Sequence, residues 1–297
     1  MAMTELPFSS PQEQTVVIVG VGLIGGSLAA ALKSRQAAGC VIGVGRDFDR
    51  IDAARKAGLI DEAVTDAVSV LHRADVVVFC TPVDRIADEV RKLMAACPTS
   101  TAVGPSKSLL LTDAGSVKNP VCSDLDDVPN FIGSHPIAGS HQKGFEAADA
   151  QLFADRVCVV TPVKSSPEPQ VARLERFWKA VGMRTVRMSP IAHDQSLALT
   201  SHLPHVVAAA LSRTLSDENR LFTGSGFRDT TRVASGDPDL WTGILMSNSE
   251  HILSGIDAFQ QGLAAYRNAL ATRDAAEIRR LLLIGQQSRM ALDEKRK

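Results

Sequence analysis

His135 stands in IGSHPIAGSHQKG, residues 132 to 144, between a short apolar run and a Pro-Ile-Ala-Gly turn. An imidazole there can be a satisfied structural group, a metal ligand or a base. Its unperturbed pKa near ~6.5 suits a group that takes a proton at neutral pH. The same stretch carries His141 and Lys143. TDAGSVK (112–118) adds Ser116 and Lys118, and TSHLPH (200–205) adds His202 and His205. GFRDTTRVASGDPDLW (226–241) adds Asp229, Arg232 and Trp241. Near the start, VVIVGVGLIGGS spaces glycines as Gly20-x-Gly22-x-x-Gly25, with Leu23 and Ile24 between the last two. That pattern is specific only when it follows a strand and opens a helix. Gly20 then permits a tight turn, Gly22 lets the backbone approach a pyrophosphate, and Gly25 allows close helix–strand packing.

The flanking elements supply that context. TVVIVG reads as a short buried strand, and SLAAALKS after the glycines as a helix. CVIGVG (40–45), ADVVVFCTP (74–82), SLLLTDAGS (108–116), NFIGSHP, DRVCVVTP and RTVRMS (184–189) read as further strands. DRIDAARKAG, VDRIADEVRKLMAA and PEPQVARLERFWKAVG read as helices between them. Alternating strands and helices imply a doubly wound, Rossmann-type parallel sheet over residues 1–189, with 1–14 as a loose tail. Its ligands are expected where strands end, which puts Thr81-Pro82, Ser116, Lys118 and His135 on one edge. From Pro190 the periodicity turns helical. The runs at 192–215, 239–270 and 274–296 carry Leu, Val, Ala and Ile at helical spacing. Residues 190–297 therefore form an all-helical domain, and such Ala- and Leu-rich helices suit pairing as a homodimer.

The end of the second strand bears on the dinucleotide. Gly45 leaves room and Arg46 offers a cation for a 2′-phosphate, which leans toward NADP. A one-residue slip would put Asp47 at the ribose instead, which keeps NAD open.

Composition removes other classes. A net charge of −1 supplies no field for nucleic acid or membrane, and 4% aromatic residues argue against a base-stacking surface. The glycine cluster breaks the uncharged run Val16–Leu32, so it is not read as a membrane span. The five cysteines form no C-x-x-C pair, which fits a reducing, cytoplasmic compartment. His202 and His205 have no evident third ligand, so no metal site is expected. Several residues keep a plain alternative. Ser116 could cap the following helix, Lys118 could bind an anion or be solvated, and Asp113 could merely finish its strand. His202 could cap or pack, Trp241 could be core packing, and His72, His193 and His251 read as structural or surface groups.

In family order, GVGLIGGS, TDAGSVK, SHPIAG, SHLPH and DTTRVA, with a Trp nine residues past the Arg, resemble the prephenate/arogenate dehydrogenase family of tyrosine biosynthesis. The resemblance implies a nucleotide-binding domain followed by a helical dimerisation domain. It implies oxidative decarboxylation of prephenate to 4-hydroxyphenylpyruvate, or of arogenate to tyrosine. By that likeness His135 would take the proton of the C4 hydroxyl as hydride departs, and Ser116 would position His135 or the hydroxyl. Arg232 would clamp a substrate carboxylate, with Asp229 supporting it and His205 binding from the helical side. Many relatives carry a glutamate where this chain has His141. Together with Lys143 that makes the loop more basic and tilts the reading toward prephenate, which lacks the ammonium of arogenate. A β-hydroxyacid dehydrogenase would show a catalytic lysine in the helical half, and none lies between Lys179 and Lys295. A non-catalytic dinucleotide sensor would need no proton acceptor beside the nicotinamide.

Overall fold

A computed structural model describes residues 13–96, 109–128, 130–140 and 142–294. His141, Cys97 and most of the N-terminal tail therefore lie outside the described residues. The chain forms two compact units, one ending at Asn248 and one beginning at Ser249.

The first unit is built on an eight-stranded sheet. Its strands are β1 (Thr15–Val19), β2 (Cys40–Val44), β3 (Glu62–Val64), β4 (Val76–Phe79), β5 (Leu110–Asp113), β6 (Phe131–Pro136), β7 (Val157–Thr161) and β8 (Arg184–Arg187). Their order is β3-β2-β1-β4-β5-β6-β7-β8. Between them run α1 (Leu23–Ser34), α2 (Phe48–Lys56), α3 (Val83–Ala95), α4 (Asn119–Asp124) and α5 (Glu168–Ala180). Alternate strand residues feed opposite layers, as the period of two requires. Val16 and Ile18 pack with Leu28 and Leu32 of α1 and Trp178 of α5. Val17 packs with Ile86 and Val90 of α3 and Val121 of α4. Strands buried on both faces account for the near-continuous apolar runs.

The sheet is parallel except at one seam, where β7 runs antiparallel to β6. The doubly wound parallel sheet expected from the sequence holds apart from that seam. A parallel return needs a crossover element, and the described residues between β6 and β7 hold only the short 3₁₀ turn Phe145–Ala147.

The same unit continues through α6 (Pro190–Leu197), α7 (Leu203–Ser212), α8 (Ser225–Thr231) and α9 (Pro238–Ser247). A single π turn, Ala198–His202, separates α6 from α7. Pro204 explains it, because proline has no N–H for Thr200 and its ring crowds that carbonyl. The second unit is a pair of packed helices, α10 (Ser249–Ala271) and α11 (Ala275–Glu294). The run read as one helix over 239–270 is therefore two, broken at Asn248.

Candidate active site

Because β1, β4, β5 and β6 are parallel, their carboxyl ends share one edge. The glycine loop leaves β1 and runs straight into α1. Gly20 adopts φ +92°, a left-handed conformation suited to glycine, and its N–H donates to the Val44 carbonyl at 2.9 Å. A Cβ on Gly25 would collide with the Gly20 carbonyl oxygen, so the loop can close on the helix only with glycine there. Gly22, by contrast, has nothing within 4 Å of where its Cβ would lie. A tight loop, free space above Gly22 and the positive end of α1 fit the pyrophosphate of a dinucleotide. Leu23 and Ile24 form the first turn of that helix. Thr81 lies against Gly20 and donates its hydroxyl to Glu89 at 2.6 Å, and Pro82 precedes α3. At the end of β2, Arg46 is exposed, while the Asp47 carboxylate caps α2 by accepting the Arg50 N–H at 3.2 Å.

The next strand end is organised by a buried ion pair. Lys118 and Asp113 are both fully buried and bonded to each other. Lys118 Nζ also donates to the Ser134 carbonyl at 3.0 Å. Asp113 accepts the Ser134 N–H at 3.0 Å, and its main-chain carbonyl accepts the Ser134 hydroxyl at 2.6 Å. These bonds lock β5 to β6 one residue before His135. Lys118 is thus neither solvated nor facing a ligand, and Asp113 does more than finish its strand. Buried charges survive when paired and hydrogen-bonded in this way. Ser116 is half-buried and makes no side-chain hydrogen bond among the described residues. It does not cap α4, which begins after Lys118. Asp194 does that instead, its two oxygens accepting the Lys118 N–H at 2.8 Å and the Asn119 N–H at 2.7 Å.

His135 is 9% exposed, and its Nδ1 lies 2.9 Å from Nε2 of His193. His193 Nδ1 lies 2.6 Å from Oδ1 of Asp194. His193 is fully buried, so the reading of it as a structural or surface residue missed its contact with His135. Burial pushes the His135 pKa well below the ordinary histidine value, and the Lys118 ammonium nearby adds to the effect. Burial also lowers His193, against the opposing pull of Asp194.

The helical segments close over this edge. His202 is buried, with Nδ1 3.1 Å from the Asn248 amide, which also donates to the Asp194 carbonyl at 2.8 Å. Desolvation lowers its pKa to about 4. His205 stacks on Trp241 with ring centroids 3.6 Å apart, and its pKa too is lowered by burial. Gly236 approaches both rings so closely that a Cβ would clash. His202 Nε2 and His205 Nδ1 are buried with no hydrogen-bond partner among the described residues. Arg232 opens the turn Arg232–Ser235 that packs on α7. Arg232 and Asp229 are both exposed, and no ion pair joins them. Lys143 reaches across to Asp237 at 2.8 Å. The loop it belongs to folds back on α1, where the Asp149 N–H donates to Ser27 Oγ at 3.0 Å.

Comparison with known proteins agrees with this layout. Residues 28–187 match the family model for the prephenate dehydrogenase nucleotide-binding domain, and residues 189–283 match that for its dimerization domain. A prephenate dehydrogenase of Bacillus subtilis is 34% identical over 276 residues, which cover 90% of this chain and 72% of that one. A crystal structure of prephenate dehydrogenase from A. aeolicus, in complex with hydroxyphenyl propionate and NAD+, superposes with a TM-score of 0.85. It is 31% identical, covering 94% of this chain and 98% of the other. The structure of Synechocystis arogenate dehydrogenase gives a TM-score of 0.78 at 31% identity, covering 95% of this chain and all of that one, 100%.

Proposed function

This chain belongs to the prephenate dehydrogenase family, and from that premise we propose that it oxidises and decarboxylates prephenate to 4-hydroxyphenylpyruvate. The observation that carries the reading is His135, a buried imidazole kept neutral at the strand edge that also bears the glycine loop.

When bound, NAD(P) supplies the hydride acceptor. Gly20, Gly22, Leu23, Ile24 and Gly25, with Thr81 and Pro82, would hold it. His135 accepts the hydrogen bond of the substrate's C4 hydroxyl and takes its proton as the C4–H bond breaks. The C4–O bond becomes a carbonyl. The ring carboxylate then leaves as CO₂, its electron pair enters the ring, and the oxygen recovers the proton from His135 as the ring becomes aromatic. The proton is borrowed and returned within one turnover, so a base screened from water is adequate. Ser116 would orient the hydroxyl. Arg232, a planar fork of donors, would take a substrate carboxylate, with Asp229 orienting it once substrate is bound. His205, whose buried Nδ1 has no hydrogen-bond partner among the described residues, would bind from the helical side.

NADP is favoured over NAD, because Arg46 is exposed at the end of β2 while Asp47 is engaged in capping α2. A homodimer is assigned to the helices of the second unit. Cys40, Cys80, Cys122 and Cys158 are unpaired, which supports a reducing, cytoplasmic setting. Arogenate is the second reading. Lys143 is engaged by Asp237, so the loop after β6 carries less free positive charge than its sequence suggests. An assay crossing prephenate and arogenate with NAD and NADP tests the substrate and the cofactor. The highest kcat/KM is expected for prephenate with NADP. His135→Asn should lower kcat by ~10²-fold or more. No turnover in any of the four combinations, or full kcat in the variant, would overturn the reading.

A further inference from the structure

We infer that His193, backed by Asp194, fixes the tautomer of His135 and so decides which of its nitrogens is the base. The inference rests on the reading of His135 as the proton acceptor, and it follows from counting donors along a buried chain.

Both oxygens of Asp194 already accept main-chain N–H groups, from Lys118 and Asn119. A carboxylate so placed is an acceptor only, and the 2.6 Å contact therefore needs a proton on His193 Nδ1. Burial keeps His193 neutral, so its Nε2 then carries a lone pair. That lone pair, 2.9 Å from His135 Nδ1, requires His135 to donate from Nδ1. Nε2 of His135 is left bare, ready to receive a proton. Without the chain the two tautomers would compete, and the one protonated at Nε2 cannot act as a base from that atom. When His135 takes the substrate's proton, its bond to His193 becomes charge-assisted, which strengthens it at the moment the charge appears. His193 and Asp194 touch neither substrate nor cofactor in this scheme. They are positioning residues.

Their placement is over-determined, as a positioning role requires. Ser189 caps α6 by accepting the Ala192 N–H, and the Asn248 amide holds the Asp194 carbonyl from the other side. His193 thus enters at the start of a fixed helix, with its ring wedged edge-on against His135.

Two conservative variants separate the idea from a packing role. In His193→Gln the amide oxygen can stand near Nε2 and still accept from His135. In His193→Asn the shorter amide can reach only the Nδ1 position, so it contacts Asp194 and leaves His135 without an acceptor. With prephenate and NADP, His193→Gln should stay within ~10-fold of the parent kcat, while His193→Asn and His193→Ala lose ~10²-fold or more. Dinucleotide affinity should be unchanged in all three. Nitrogen NMR of ¹⁵N-histidine-labelled protein, with the His135 signal assigned by its loss in His135→Asn, reads the tautomer directly. The proton should sit on Nδ1 in the parent and in His193→Gln, and distribute over both nitrogens in His193→Asn. A parent His135 protonated at Nε2, or Gln and Asn variants that fall equally, would overturn the assignment. The NMR measurement needs no substrate, so a parent enzyme inert toward both cyclohexadienyl acids would sink the proposed function and not this one.

Discussion

His135 owes its neutrality to its surroundings. Burial strips water from the ring, and the nearby Lys118 ammonium disfavours a second positive charge. A base works only when unprotonated. An exposed imidazole is half protonated near pH ~6.5, whereas His135 resists protonation to well below that. The acid limb of kcat/KM, measured by initial rates from about pH 8 downward, should therefore fall below that value. A limb at or above it would mean that burial does not set the titration. The same shifts carry a stability sign. In the unfolded chain the histidines recover ordinary values and bind protons that the folded state refuses, so stability drops as pH falls. For His202 the loss begins near 6.5 and continues to about 4. Thermal melts across that window should move steadily downward. Much of this site was legible at the level of residues, because TDAGSVK, SHPIAG and SHLPH bring their own context. His193 was not. It sits in PIAHDQS without a spacing pattern, and its partner is 58 residues away. Only the fold makes them neighbours.

Strands buried on both faces write themselves into the sequence as apolar runs, and six of the strands, all but β3 and the largely exposed β8, were readable for that reason. β3 was not, since it spans three residues and includes Glu62. The six-residue α4, with Pro120 in its first turn, is too short for periodicity to register. The direction of β7 is likewise silent, because an apolar strand reads the same either way. The break at Asn248 has a cause that periodicity cannot show. Its side chain is buried between Asp194 and His202, and those bonds outweigh continuing the helix. Where the strand β1 meets the helix α1, two glycines that look alike in sequence are expected to behave differently. Gly25→Ala drives a Cβ into the Gly20 carbonyl and should cost roughly 1–3 kcal/mol of stability as an overpacked contact. Gly22→Ala meets nothing within 4 Å among the described residues, so its melting temperature should hold while dinucleotide affinity falls ~10-fold or more, at about 1.4 kcal/mol per decade. Melting curves and dinucleotide titrations of the two variants check this. Equal behaviour would remove the argument that the space above Gly22 is reserved for the ligand.

At the scale of the molecule, the second unit presents an incomplete surface. Along α10, Ile256, Phe259, Leu263, Tyr266 and Leu270 recur at alternating steps of three and four, the spacing of a helix seam that wants a partner. Phe259, Leu263 and Leu270 are 39%, 52% and 63% exposed, and Leu282, Met290 and Leu292 of α11 are exposed as well. Scattered exposed leucines need no explanation, but a periodic row of them does. Residues 189–283 match a dimerization domain, so the proposed occupant is a second copy of the same chain. A two-fold interface meets each protomer with the same patch, so one substitution acts twice. Leu263→Glu replaces an apolar side chain of the row by a carboxylate in both copies, and a two-fold interface would then have to bury two like charges. Light scattering during size exclusion should give twice the chain mass for the parent and a monomer for the variant. Activity should become dependent on protein concentration in the variant alone. A parent that runs as a monomer at micromolar concentration, or a variant whose mass is unchanged, would show that the row of apolar residues serves some other contact.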